Sequence, residues 1–159
     1  LQVEAALDYD KLLDKLRGSE GEKNIRDQQD APITSLNLRL NGVSKKRTRL
    51  YEDYAEGLLD EAEYSFAKKS YDEQYADLSR RLDEAVQRRS KFDEAMSVDN
   101  KWITLMKSVS TATQLSQDLV DESVELVKVH EGGAVELVMK YGDIYELTIQ
   151  SIKEVQEAM

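Results

Sequence analysis

The residues that could do chemistry in this chain are few. It has one imidazole, no thiol and many carboxylates. A histidine set beside carboxylates or a second histidine at metal-ligand spacing can hold a divalent cation or relay a proton. His130 stands instead next to Glu131-Gly132-Gly133, a turn sequence, with no second histidine to share a metal. It reads as an exposed structural residue. The carboxylates recur around helical stretches as solvating charge, and no glycine-rich phosphate loop occurs. The expectation is a non-enzymatic chain with no catalytic, cofactor-binding or metal-ligating residues. The run Lys45-Lys46-Arg47-Thr48-Arg49 could grip phosphate. The net charge is −10 and acidic residues follow the run, so a solvated helical face is the expected reading.

Tyrosine is the one unusual placement. Five of the eight, Tyr51, Tyr54, Tyr64, Tyr71 and Tyr75, lie close together around Gly57. An amphipathic ring fills a helix seam or anchors a protein contact equally well. The elements that carry these rings decide between the two. Upstream of Gly57, seam positions fall at Leu36, Leu40, Val43, Arg47, Leu50 and Tyr54, in alternating steps of four and three. Downstream, the matching positions are Tyr64, Lys68, Tyr71, Tyr75, Leu78 and Leu82. Folded at the glycine, 54 meets 64, 50 meets 68, 47 meets 71, 43 meets 75, 40 meets 78 and 36 meets 82. Each pair adds to the same number, which a single straight helix has no reason to show.

An antiparallel two-helix coiled coil is therefore expected over 30–97, with its tip near 57–60. Gly57 can end the first helix in the left-handed conformation, and Asp60 with Glu63 forms a capping box for the second. The second helix is expected over about 61–96, continued by Ala85, Phe92 and Met96. Some 25 paired residues at 1.5 Å each give an arm of roughly 40 Å. Arg47 is expected to lie along the ring of Tyr71. Pro32 marks either the start of the first helix or a kink in it. Leu36, Leu38 and Leu40 alternate before Asn41-Gly42, a hairpin dipeptide. A strand there would leave Val43, Leu50 and Tyr54 unexplained. The tip residues Tyr51, Tyr54, Leu58, Leu59 and Tyr64 form the candidate interaction surface.

Residues 1–29 read as a helix stopped at Gly18 and a polar connector. Residues 98–159 read as a small α/β segment. In it, Asp99 can cap a helix holding Trp102, Ile103, Leu105 and Met106, and Ser116 a short one holding Leu119 and Val120. A β-hairpin follows over about 125–141, and a last helix opens at Asp143. For the hairpin, a loop of Glu131 to Gly133 pairs Val129 with Val135 and Val127 with Leu137. It also sets Met139 on the same face, and a single buried face would fix that register. The fold class is mainly α: a long antiparallel two-helix coiled coil with extra helices and a small antiparallel β-hairpin.

LYEDYAEGLLDEAEY, residues 50–64, followed by a long charged helix, resembles the coiled-coil segment of the large serine recombinases. These are the integrases and transposases of phages and mobile elements. Leu50, Tyr51, Asp53, Tyr54, Gly57, Leu58, Leu59, Glu61, Glu63 and Tyr64 carry the likeness. A second block, residues 115–143, resembles the short helix and two strands that follow the coiled coil in that family. Its aliphatic positions are Leu115, Leu119, Val120, Val127, Val129, Val135, Leu137 and Met139. Pro32 and Asn41-Gly42 depart from the uninterrupted Lys/Glu-rich helix that relatives more often show.

The resemblance implies a module of a site-specific DNA recombinase. Its arm would contact other recombinase subunits, with weak self-association, and control synapsis and the direction of DNA integration and excision. DNA would be bound through the parent protein. The catalytic serine domain and a cysteine-bearing zinc ribbon would lie upstream, outside this sequence, which begins at Leu1 and reads as a fragment. A free-standing coiled-coil adaptor with no DNA partner is the alternative. No run approaches the ~20 apolar residues of a membrane span, and no signal peptide is visible, so a cytoplasmic location is expected.

Overall fold

The computed structural model describes residues 2–112, 114 and 116–159, with side chains from residue 8 onward. Leu115, one of the aliphatic positions named above, lies outside the described residues. Six helices and two strands follow in order. They are α1 Gln2–Leu16, α2 Glu20–Ala55, α3 Glu61–Met96, α4 Lys101–Thr111, α5 Gln117–Ser123, β1 Val124–Val129, β2 Val135–Met139 and α6 Gly142–Glu157. The chain is mainly helical, with two long packed helices and one small antiparallel sheet. It divides into two compact units, Leu1–Ile25 with Ser90–Met159, and Arg26–Arg89. No helix among the described residues is long and apolar enough to cross a membrane.

The first unit is built on one apolar cluster. Leu13 and Leu16 of α1, Phe92 and Met96, four residues of α4 and three of α6 meet in it. Trp102 lies at its centre, its ring 4.6 Å from that of Tyr145 and 6.1 Å from that of Tyr9. Gly21 is where α2 and α6 pass closest, since a Cβ there would stand 2.3 Å from the Val155 carbonyl oxygen. Arg17 joins α1 to the end of α3. Its Nε donates to the Met96 carbonyl at 2.8 Å and its Nη2 to the Ser97 carbonyl at 2.7 Å. Those are orphan acceptors of a helix C-terminus, where a cation is doubly favoured.

A second node is fully buried. Asn100, 1% exposed, caps α4 by accepting from the Ile103 amide at 3.1 Å. Its Nδ2 donates to the Ala95 carbonyl at 2.9 Å and to Thr148 Oγ1 at 2.8 Å. The cap expected at Asp99 is thus one residue off. Asn100 wins because its amide both accepts and donates, and so can close three partners in a site that a carboxylate could not satisfy. Ser116 caps α5 as expected, accepting from the Leu119 amide at 3.2 Å. The last helix opens differently, behind Tyr141 in the left-handed region at φ 61°, with Asp143 in its first turn.

The sheet has the expected register, Val129 opposite Val135 and Val127 opposite Leu137. The expected cause does not hold. The apolar face is open, with Val127 50%, Val129 73%, Val135 60% and Leu137 56% exposed. Only Met139, at its base, packs on the cluster. The turn and the polar face hold the register instead. The His130 amide donates to the Ala134 carbonyl at 2.9 Å, and Gly132 and Gly133 take φ of +99° and +85°. Across the other face, Lys128 lies 3.3 Å and His130 2.9 Å from the Glu136 carboxylate.

Candidate functional site

In the second unit, the ends of α2 and α3 build a tight turn. Gly57 takes φ +77°. Its amide donates to the Tyr54 carbonyl at 3.0 Å, and that of Leu58 to the Asp53 carbonyl at 2.9 Å. These two bonds are the Schellman closure that glycine permits. The capping box is reciprocal: the Glu63 amide donates to Asp60 Oδ1 at 2.8 Å and the Asp60 amide to Glu63 Oε2 at 3.0 Å. Directly below, the rings of Tyr54 and Tyr64 stack at 4.3 Å and 17°.

Behind the turn runs the seam. Leu36, Val43, Leu78 and Ala85 are buried together, with Leu40, Tyr71, Leu82 and Ile33 packed against them. Leu50 is also buried. Tyr75 is more open, at 37%. It lies under the Arg47 guanidinium, whose central carbon is 5.0 Å from the ring centroid. Arg47 was expected over Tyr71. It stands over Tyr75 instead, with its Nη2 2.8 Å from the Asp72 carboxylate as an ion pair. Lys68 reaches the same carboxylate at 3.0 Å. The Lys68 hydrogen bond first, then the charges of Lys68 and Arg47, hold the Asp72 carboxyl below the usual range.

α2 runs without a break through Pro32 and Gly42, so Pro32 is not its start. The helix opens at Ser19, whose Oγ accepts from the Glu22 amide at 3.1 Å. The carbonyl that Pro32 leaves without a partner belongs to Gln28, and both residues are exposed, so water can meet it.

Of the expected tip residues, Leu58 is 67% and Tyr51 61% exposed, Tyr54 is 37%, and Leu59 and Tyr64 are half-buried. Tyr54 and Tyr64 therefore serve mainly each other, while Leu58 and Tyr51 face outward. Two outward residues escaped the sequence reading, Phe66 at 80% and Leu38 at 68% exposure. Each stands two places from a seam residue, about 200° round its helix, and that spacing was the signal available. Elsewhere, His130 leans on Glu136, and its hydrogen bond is the main reason the Glu136 carboxyl sits below the usual range. Among the described residues no group of three His, Asp or Glu is placed to hold a metal. No family model matches the chain, and neither do curated proteins or solved structures.

Proposed function

We propose that this chain is the non-catalytic coiled-coil module of a site-specific DNA recombinase of the large serine type. In this reading its helical hairpin contacts other recombinase subunits and thereby governs synapsis and the direction of integration and excision. The observation that carries it is the tip. A glycine turn and a reciprocal capping box hold a stacked tyrosine pair, and they leave Leu58 and Tyr51 in solvent. Exposed apolar groups on a rigid turn suit contact with another protein. The order of elements adds support: the short helix α5 and the β-hairpin follow the long helices, as the resemblance implies. An adaptor without a DNA partner would explain the hairpin but not that order.

Zinc belongs, in this reading, to the family's cysteine-bearing upstream ribbon; this chain has no cysteine, and its single histidine, His130, pairs with Glu136. DNA binding and catalysis belong, in this reading, to the parent protein. The contact is small and weak between isolated chains, and it becomes decisive when DNA holds subunits together at high effective concentration. The test is Leu58→Asp with Leu59→Asp in the parent recombinase. Folding and DNA binding are expected to persist, while synapsis or its directionality fails. Normal recombination in both directions by that double variant would refute the reading.

A further inference from the structure

The outward side of α2 carries an order of charges that a lone helix would not favour. Leu38, Lys45, Arg49, Glu52 and Glu56 follow one another at steps of seven, four, three and four. At 3.6 residues per turn they fall within about 60° of each other, opposite the seam. All five are exposed. Lys45 and Arg49 stand at i,i+4 with like charge, and so do Glu52 and Glu56, each spacing repulsive. The two acids also lie near the C-terminus of α2, where the helix already carries partial negative charge and no basic residue answers it in the last turn. Inside the helix, compensation comes from Arg49, which has Glu52 at i,i+3 and Asp53 at i,i+4. Arg49, 82% exposed, reaches Asp53 only at 4.0 Å. Lys45, Glu52 and Glu56 form no ion pair among the described residues.

We infer that this face is a self-complementary docking surface for the same face of a second copy, running antiparallel. Reversing a copy sets Lys45 against Glu56 and Arg49 against Glu52, and the two-fold repeats both pairs. A two-fold contact of this kind uses one patch on both partners and closes on itself. One arrangement thus accounts for the reversed charge order. The choice of a second copy comes from the charge order. The inference rests on the proposed function only for why subunits should meet, and it places the contact along α2 rather than at the tip alone.

The experiment uses the full chain and two charge reversals at exposed positions, with circular dichroism to verify that each variant folds. Lys45→Glu with Arg49→Glu makes the face wholly acidic, and Glu52→Lys with Glu56→Lys makes it wholly basic. Sedimentation equilibrium at high protein concentration should find wild-type dimers that weaken between about 20 mM and about 500 mM salt. Each double variant alone should associate at least about tenfold more weakly, because like charges now face each other. An equimolar mixture of the two should recover wild-type association or exceed it. Wild-type chain that stays monomeric at low salt, variants that associate like wild type, or a mixture that fails to recover would each overturn the inference. So would short DNA duplexes bound through Lys45 and Arg49 without self-association. None of these results bears on the recombination test of Leu58 and Leu59, so the two ideas fail separately.

Discussion

Replacing Thr148 by valine removes one oxygen from the buried node and almost nothing else. Thr148 has no exposed surface, and its hydroxyl accepts from Asn100 Nδ2 at 2.8 Å while donating to the Ile144 carbonyl at 2.7 Å. Valine keeps the shape. One Nδ2 hydrogen of Asn100 then has no acceptor, while the other keeps Ala95. A buried donor left unpaired costs about 1–3 kcal/mol, and the methyl that replaces the hydroxyl offsets part of it. The expected loss is about 1–2 kcal/mol. Asn100→Leu should cost more, about 3 kcal/mol, since it also deletes the α4 cap and the bond to Ala95. The double variant should fall short of the sum, because the two changes share one hydrogen bond. Urea unfolding followed by Trp102 fluorescence reads this unit specifically, since Trp102 is the only tryptophan and is 2% exposed. A Thr148→Val chain as stable as wild type would show that the hydroxyl does not hold Asn100, and the reasoning would fail.

Leu78→Ala, at a site 5% exposed between Leu36 and Val43, should cost about 2–5 kcal/mol. Hydrogen exchange at α2 amides should accelerate, and unchanged protection would contradict a buried seam. Gly21→Ala should destabilise by about 1–3 kcal/mol, because its Cβ meets the Val155 carbonyl. Gly42→Ala, in open space, should instead stabilise the monomer by about 1 kcal/mol; thermal melts of the two variants that move in the same direction would contradict the packing argument. The Glu136 carboxyl lies below its ordinary value of 4.5, first through the His130 hydrogen bond and then through Lys128. A lowered folded value means the stabilisation is complete above the unfolded value and is lost as pH falls through the folded one. The cross-strand contacts should therefore be intact above about 4.5 and loosen on acidification below it. His130→Ala should raise the Glu136 titration midpoint seen by NMR, and an unmoved midpoint would discount the contact.

The hairpin was legible because its evidence is redundant. Seam spacing, the glycine, the capping box and the mirrored order of seam residues all agree, and each rests on local geometry or on a covalent turn. The β-hairpin register was legible from the two-glycine turn and the parity of its apolar residues, although the buried face expected behind that parity is open. What sequence could not supply was long-range. Nothing in the order of residues says that Arg17 closes the end of α3, or that Asn100 meets Thr148 forty-eight positions away. Asp99 and Asn100 are equally good caps locally, and only the buried partners separate them. Pro32 could locally start or kink a helix, and only the tertiary setting shows that α2 continues through it.

Periodicity reports which residues share a face; it does not report what covers that face. The valines of the β-hairpin share one, and the structure leaves it open to solvent. Arg47 occupies a seam position, yet its guanidinium lies over Tyr75 and pairs with Asp72. The outward side of α2 is the sharper case. The seam residues find their complement in the same chain because Gly57 reverses it, so the pairing becomes fold. The order Lys45, Arg49, Glu52, Glu56 is complementary to its own reversal, which no turn can supply within one helix. The same mirror test, applied about Gly57, yields an intramolecular contact that the structure contains; applied between Arg49 and Glu52, it yields the inferred intermolecular one. The first is fixed by covalent connection. The second, as inferred, would depend on chain concentration.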